Sequence, residues 1–185
     1  AFNFERRIGL AAEWQKGPWL VQGGVFTDDA NALAATNGDE NNSYGVDGRL
    51  VFAPKLAGTQ LHFGASGHWR DLNSTGEGGV RYRQRPFSHV TDTRLIDTGT
   101  FPASSETHYG LEFAAVRGRW HAAAETHWLT ANRIGGSDPT FFGGYGEVGY
   151  YLTPGDSRAY KGGIFDRSAP KNPMGQGGIG SVQLT

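Results

Sequence analysis

The strongest constraint on this chain is an alternation of apolar and polar residues with a period of two, which recurs along most of its length. The alternation is clearest in residues 59–70, where Leu61, Phe63 and Trp69 share the odd positions and polar residues or glycine fill the even ones. Successive side chains of a strand point to opposite faces, so this pattern predicts strands with one apolar and one polar face. Helical periodicity is nearly absent. The sequence therefore predicts an all-β fold.

Composition narrows the class of protein further. The chain has 29 glycines, eleven Phe, seven Tyr and five Trp, which suits a β protein with many turns. It has no cysteine, so disulfides and thiolate metal sites are excluded. Seventeen basic and eighteen acidic residues give a formal charge of −1, so no overall basicity attracts nucleic acid. No apolar run approaches the ~20 residues of a membrane helix.

The spacing of the segments predicts their topology. Eleven segments read as strands: residues 5–14, 18–27, 44–53, 59–70, 80–86, 91–99, 106–116, 119–129, 140–152, 159–167 and 178–185. The connections alternate between short turns and mostly longer loops, which is typical of an antiparallel up-and-down barrel. The chain end cuts the last strand, and single-chain membrane barrels of bacteria have even strand numbers. We therefore expect residues 1–185 to form one barrel segment that is incomplete at both ends.

Two tryptophans favour a transmembrane barrel. Trp120 and Trp128 share a face and stand eight residues apart, which on a tilted strand is roughly 20 Å of vertical separation. That is close to the ~25 Å apolar band between the aromatic girdles of outer-membrane barrels. Only Ala122, Ala124 and Thr126 lie between them on that face, and such small residues would fill a soluble core poorly. A soluble β-barrel or sandwich with ordinary core tryptophans remains the alternative.

The polar faces of these strands are expected to line a water-filled lumen. Eight residues are predicted to lie there: His62, His68, Arg70, His108, Glu112, His121, Glu125 and His127. No HExxH motif and no Ser-His-Asp order accompanies them. On one strand face, histidines six residues apart cannot chelate the same ion. The sequence therefore predicts no enzyme, no metal site and no cofactor.

Residues 80–86 carry a row of arginines at alternate positions. As a strand, this segment would present Arg81, Arg83 and Arg85 on one face at intervals of roughly 6.5–7 Å. Guanidinium groups stay charged, and a dry core could not hold three of them without partners. The row therefore faces either a water-filled interior or bulk water as a solvated strand face. Arg94 lies in the following segment and is a candidate neighbour of the row.

Several stretches of the chain resemble the outer-membrane porins selective for phosphate and polyphosphate. The stretches are residues 6–10 (RRIGL) leading to Val25-Phe26, residues 81–86 (RYRQRP), residues 94–99 (RLIDTG), residues 145–161, and the Phe165 and Pro170-Lys171 that follow. The resemblance implies part of a sixteen-stranded, homotrimeric barrel in the bacterial outer membrane. It also implies that Arg81, Arg83 and Arg85 match a lumenal ladder of arginines that ends at a narrow phosphate site, with Arg94 nearby.

The leading hypothesis is therefore a passive outer-membrane channel for anions, phosphate or polyphosphate, along a lumenal arginine row. Its expected partners are outer-membrane lipid and small inorganic anions, with no nucleic acid. One alternative is a general, weakly selective porin of the same fold, in which the arginines oppose Glu112, Glu125 and Glu147. Another is a soluble ligand-binding β-barrel.

Overall fold

The chain folds as a single open antiparallel sheet with two small accessory hairpins. The computed structural model describes residues 7–29, 44–72, 79–84 and 92–185, and these contain strands but no helix. The strands are β1 (Arg7–Lys16), β2 (Trp19–Asp29), β3 (Tyr44–Phe52), β4 (Lys55–Leu56), β5 (Thr59–Asp71), β6 (Arg83–Gln84), β7 (Ile96–Asp97), β8 (Ala103–Arg117), β9 (Trp120–Arg133), β10 (Thr140–Tyr151), β11 (Ala159–Lys161), β12 (Ile164–Asp166) and β13 (Gln183–Leu184).

The main sheet has the order β1-β2-β3-β5-β8-β9-β10-β13, and the short β4 pairs with β5. Every strand pairing within it is antiparallel. Two-residue turns join β1 to β2 and β8 to β9, and Gly17 and Gly118 supply the positive φ that each of these turns requires. The predicted all-β, up-and-down antiparallel fold is confirmed.

The two faces of this sheet are inverted relative to those of a soluble protein. On β8, Tyr109, Leu111 and Phe113 are 56%, 53% and 40% exposed. On the opposite face, His62 and His121 are only 4% and 2% exposed. We call the first the apolar face and the second the polar face. An exposed, continuous apolar sheet face marks an interaction surface, and lipid is one solvent that can cover it.

Aromatic side chains gather at both ends of the apolar face. At the end with the tight turns, the rings of Trp19 and Phe52 lie 4.5 Å apart and those of Trp120 and Tyr150 lie 4.6 Å apart. At the other end two further pairs meet: Tyr44 with Trp69 at 5.5 Å, and Trp128 with Phe142 at 5.3 Å. On β9 and β10 the apolar-face positions between these two belts hold small residues, among them Ala122, Ala124, Gly144 and Gly146. The described residues contain no helix long and apolar enough to cross a bilayer.

The prediction that residues 80–86 and 91–99 are strands of the main sheet is wrong for their described part. β5 pairs directly with β8, from Gln60↔Val116 to Asp71↔Ser105. Residues 72–102 therefore form one long connection, within which β6 and β7 pair as a separate two-stranded hairpin. Alternating arginines fit a strand of any sheet, so the pattern could not tell a wall strand from a short hairpin.

A small apolar cluster fixes this connection to the wall. Phe101, Ala103 and Ala131 are buried, and Leu72, Val80 and Tyr82 pack against them. The backbone N–H of Leu72 donates to the carbonyl of Ser104 at 2.9 Å, so the two ends of the connection lie side by side. The hairpin is thus attached at its base, at the end of the sheet opposite the tight turns.

Residues 159–167 were expected to form one returning wall strand, and this is also wrong. They form the β11–β12 hairpin, which turns at Gly162 and Gly163 with φ values of 59° and 78°. Two residues with positive φ are what a tight hairpin turn demands. This hairpin folds back over the polar face and meets β3 and β5 there.

Candidate functional site

An arginine on β3 is the centre of the polar face. The Nε of Arg49 donates to Oε1 of Glu112 at 2.8 Å, and its Nη2 donates to Oε2 at 2.5 Å. Nη2 also donates to the carbonyl of Gly163 at 2.9 Å, and Nη1 donates to Oε1 of Gln22 at 3.3 Å. One guanidinium therefore joins β2, β3, β8 and the β11–β12 hairpin.

A glycine explains how Arg49 reaches across the sheet. Arg49 and Glu112 lie on strands that are separated by β5, a span of roughly 10 Å. Gly64 stands on β5 directly opposite Glu112, and a Cβ at Gly64 would lie 3.0 Å from that side chain. Because Gly64 has no side chain, the ion pair can form above the strand between its partners.

His62 adds a second link to the same carboxylate. Its Nε2 lies 3.1 Å from Oε2 of Glu112, and its Nδ1 lies 2.6 Å from the hydroxyl of Tyr160 on β11. Glu112 also faces Glu125 directly across β8 and β9, and like charges in that position destabilise a sheet. Arg49 and His62 offset that repulsion.

Other carboxylates on the polar face are paired as well. Asp47 contacts the Nδ1 of His68, which stands directly opposite on β5. Glu106 is 3% exposed, with one oxygen 3.0 Å from Nη2 of Arg70 and the other accepting from the Tyr82 hydroxyl at 2.6 Å. Buried carboxylates need such partners because desolvation is costly. Much of the negative charge on this face is thus neutralised within the wall.

Histidines occupy the remaining positions predicted on this face. The rings of His108 and His127 lie 5.1 Å apart, and Nε2 of His127 lies 3.6 Å from Glu125. His121 packs against the rings of Tyr151 and Phe165. All eight of the predicted lumenal side chains lie on the polar face, by strand alternation. No group of three or more described acidic or histidine residues could hold a metal ion.

The predicted arginine row lies in the long connection rather than in the wall. Arg81 makes a two-point contact with Asp97, at 2.7 and 2.5 Å, and Arg83 is exposed on β6. Arg94 is partly buried, and its Nη1 has no partner among the described residues. Arg85 lies outside the described residues. The structure brings Arg81 and Arg83 to one hairpin, although the fork of Arg81 is already occupied.

The Arg81–Asp97 pair predicts a pH dependence of the β6–β7 hairpin. The Arg81 guanidinium, with the Gly99 backbone N–H, lowers the pKa of Asp97 to about 2. Because the pKa of Asp97 is lower in the folded state, the contact stabilises the hairpin fully at pH values above the unfolded-state pKa of about 3.9. This stabilisation is lost as the pH falls towards 2. Carboxyl carbon NMR of Asp97 should report a midpoint near 2 in the native protein. It should report a higher midpoint in Arg81→Gln, although one still below the unfolded value, because the Gly99 N–H and Arg83 continue to lower the pKa of Asp97. Equal midpoints in the two proteins would contradict the pairing.

Sequence reasoning missed Arg49 and Tyr160. Arg49 is a single arginine between Asp47 and Val51 on β3, and strand alternation alone puts it on the polar face. The role of Arg49 depends on the β11–β12 hairpin, a segment that the sequence pattern predicts to be a wall strand. The signal that could have found the hairpin was the Gly162-Gly163 pair, a common two-residue turn.

Space for small solutes remains on the polar face. A cavity of about 410 Å³ lies over β1, β2, β3 and β5, with Glu13, Asp47 and Arg49 among its polar lining. A second cavity, of about 210 Å³, lies between the β11–β12 hairpin and the wall. Both cavities have charged groups in their lining beside small apolar or aromatic residues.

Comparison with known proteins identifies a family and a relative that this chain resembles. A family model described as phosphate-selective porin O and P matches residues 1–185, the whole chain. The chain is also 57% identical over 189 residues to an uncharacterized protein of Caulobacter vibrioides. That alignment covers 100% of this chain and 38% of the relative, so the chain spans little more than a third of that protein's length.

Proposed function

Because the chain belongs to the family of phosphate-selective porins O and P, we propose that it forms part of the wall and lumen of a passive anion channel. Membership supports a β-barrel porin of the outer membrane and implies a channel rather than an enzyme. The permeant ion is a small inorganic anion, with phosphate or polyphosphate as the leading candidates.

The observation that carries this proposal is the inversion of the two sheet faces. A water-soluble barrel buries its apolar side chains, whereas here Leu111 and Trp120 are 53% and 58% exposed while His121 and Glu106 are nearly inaccessible. Lipid outside and water inside is the arrangement that satisfies both faces at once. The same observation disfavours the soluble ligand-binding barrel.

Anion preference follows from the distribution of paired charges. Glu112, Glu106 and Asp47 are each held by a wall cation or histidine, so they present little free negative charge to the passage. The connection of residues 72–102 contributes Arg81 and Arg83, which share the single carboxylate of Asp97, and Arg94, which forms no ion pair with a described carboxylate. In a confined aqueous space, such an excess of cations attracts anions and replaces part of their hydration.

A weakly selective porin of the same fold is the second candidate, and Glu147 favours it. This residue stands on the polar face of β10 and makes no ion pair with a described residue. Free carboxylates on one wall and arginines on a hairpin would let both signs of ion pass. The two candidates differ in the sign and size of the selectivity.

Reversal potential in a planar bilayer decides between them. With a tenfold gradient of potassium chloride, the proposed channel should give a potential close to the chloride limit, and added phosphate should block the chloride current. A potential near zero would support the weakly selective porin. A protein that stays in solution without detergent or lipid would contradict both candidates.

Family membership also underlies three coarser proposals. Residues 1–185 act as a single barrel segment, and further strands of a longer polypeptide complete the barrel, since the relative is much longer than this chain. The barrel lies in the bacterial outer membrane, in contact with its lipid. It assembles as a homotrimer, which mass measurement of the detergent-solubilised complex would test.

A further inference from the structure

We propose that Arg49 and Glu112 act as a latch, meaning a polar contact that holds the β11–β12 hairpin against the polar face and sets the free cross-section beside it. The inference rests on the proposed channel function, because the hairpin narrows a passage only if the polar face lines one. Arg49 is then a positioning residue and not an anion-binding one.

The hydrogen bonds of Arg49 argue for this role. A guanidinium has five N–H donors. One goes to each oxygen of Glu112, one to the Gly163 carbonyl and one to Gln22, which leaves a single donor of Nη1. A passing anion would therefore find almost no free donor on Arg49. The contact with Gly163 instead ties the group to the hairpin.

The hairpin is shaped to receive this contact. Gly163 has a φ of 78°, and a Cβ there would lie 2.6 Å from Leu20 Cδ2. Only glycine lets the hairpin backbone approach the wall so closely. On the preceding strand, the Tyr160 hydroxyl meets Nδ1 of His62, whose Nε2 contacts the same Glu112. The contacts of Gly163 with Arg49 and of Tyr160 with His62 therefore both connect the hairpin to Glu112.

The contact between hairpin and wall combines the polar links to Glu112 with apolar contacts, where Gly163 meets Leu20 and Val51 and Phe165 packs against His121. The cavity of about 210 Å³ separates parts of the hairpin from β3, β5, β8 and β9, and it is lined by Arg49, His62, Glu112 and Tyr160. Open space beside Glu112 means that apolar packing fills only part of the junction. Both polar links of the hairpin lead to Glu112, so loss of the charged pair should shift the hairpin towards a released state.

The experiment uses two variants whose electrostatic effects are opposite. Arg49→Gln removes a positive charge and Glu112→Gln removes a negative one. If the two residues act only as charges that line the passage, the variants should shift the reversal potential in opposite directions and leave the hairpin in place. A latch predicts that both variants release the hairpin. To measure release, the reconstituted full-length channel is treated with trypsin, and mass spectrometry of the fragments gives the rate of cleavage after Lys161 at the hairpin tip.

We expect cleavage after Lys161 to rise about tenfold or more in both variants, since removing one partner of a charge-assisted pair shifts an opening equilibrium by that order. Single-channel current should also become larger and noisier in both. Tyr160→Phe should give a smaller increase of the same sign. Tyr82→Phe is the matched control, because it removes a hydroxyl from the other hairpin and should leave cleavage after Lys161 at the wild-type rate.

Cleavage at the wild-type rate in Arg49→Gln and Glu112→Gln would overturn the latch, whatever happens to the reversal potential. If Arg49→Gln does not assemble, Glu112→Gln and Tyr160→Phe decide, and wild-type cleavage in both would overturn it equally. A wild-type channel without anion preference would contradict the proposed function alone. Increased cleavage in the variants would still support the latch in that case.

Discussion

Arginine at Ala124 should prevent or strongly impair assembly of the barrel. Ala124 lies on the apolar face of β9, four residues from each of Trp120 and Trp128, with Phe113 and Gly146 as its cross-strand neighbours. A charged side chain near the middle of a bilayer costs a β-barrel roughly 2–4 kcal/mol. The measurement is the free energy of folding into lipid vesicles, by tryptophan fluorescence against urea concentration.

Two controls separate charge from size and position. Ala124→Leu adds bulk without charge and should cost less than about 1 kcal/mol on a lipid-facing surface. Asn132→Arg adds the same charge near the end of β9, where the cost should fall to about 0–1 kcal/mol. Equal folding free energies for Ala124→Arg and Ala124→Leu would contradict lipid contact for this face.

Replacing Arg81, Arg83 and Arg85 together by alanine should remove most of the anion preference. These residues supply positive charge to the connection of residues 72–102, and removal of Arg81 also leaves the Asp97 carboxylate unpaired. Folding should change little, because Arg81 and Arg83 are exposed and exposed pairs contribute little to stability. We expect the reversal potential to move most of the way to zero and phosphate block of chloride current to weaken.

The lysine triple variant tests whether shape matters in addition to charge. Lysine keeps the positive charge but lacks the planar fork that engages two phosphate oxygens. Chloride preference should persist in that variant while phosphate block is reduced. A control that removes three cations elsewhere, at Lys16, Lys55 and Arg117 near the tight turns, should leave phosphate block intact. An alanine triple with wild-type selectivity would show that these arginines form a solvated hairpin face.

The wall could be predicted from the sequence because its signal is local. In the middle of β5 and β8 large apolar residues alternate with polar residues, alanine or glycine, and each of β5, β8 and β9 lies within a few residues of its predicted bounds. A side chain's choice of face depends only on its neighbours in sequence. For the same reason the assignment of His62, His121 and the other polar residues to one face required no knowledge of pairing.

The hairpins could not be predicted with equal success because pairing is not local. Residues 80–86 alternate as a wall strand does, but β5 finds its partner in β8, more than thirty residues further along the chain. The pattern of Arg81 and Arg83 is compatible with both outcomes. The ion pair between Arg49 and Glu112 was hidden for a related reason: it joins strands that are not adjacent and depends on Gly64 between them.

Direct pairing of β5 with β8 has a consequence for how such channels diversify. The wall register from Gln60↔Val116 to Asp71↔Ser105 makes no use of residues 73–100, and both ends of the connection meet at one point of the wall. Lengthening a surface connection adds little closure entropy. The length and charge of the segment can therefore change while the backbone hydrogen bonds between β5 and β8 stay in place, provided that the contacts of Val80 and Tyr82 with the wall are kept. In the proposed channel, substrate preference and membrane assembly would thus depend on different parts of the chain.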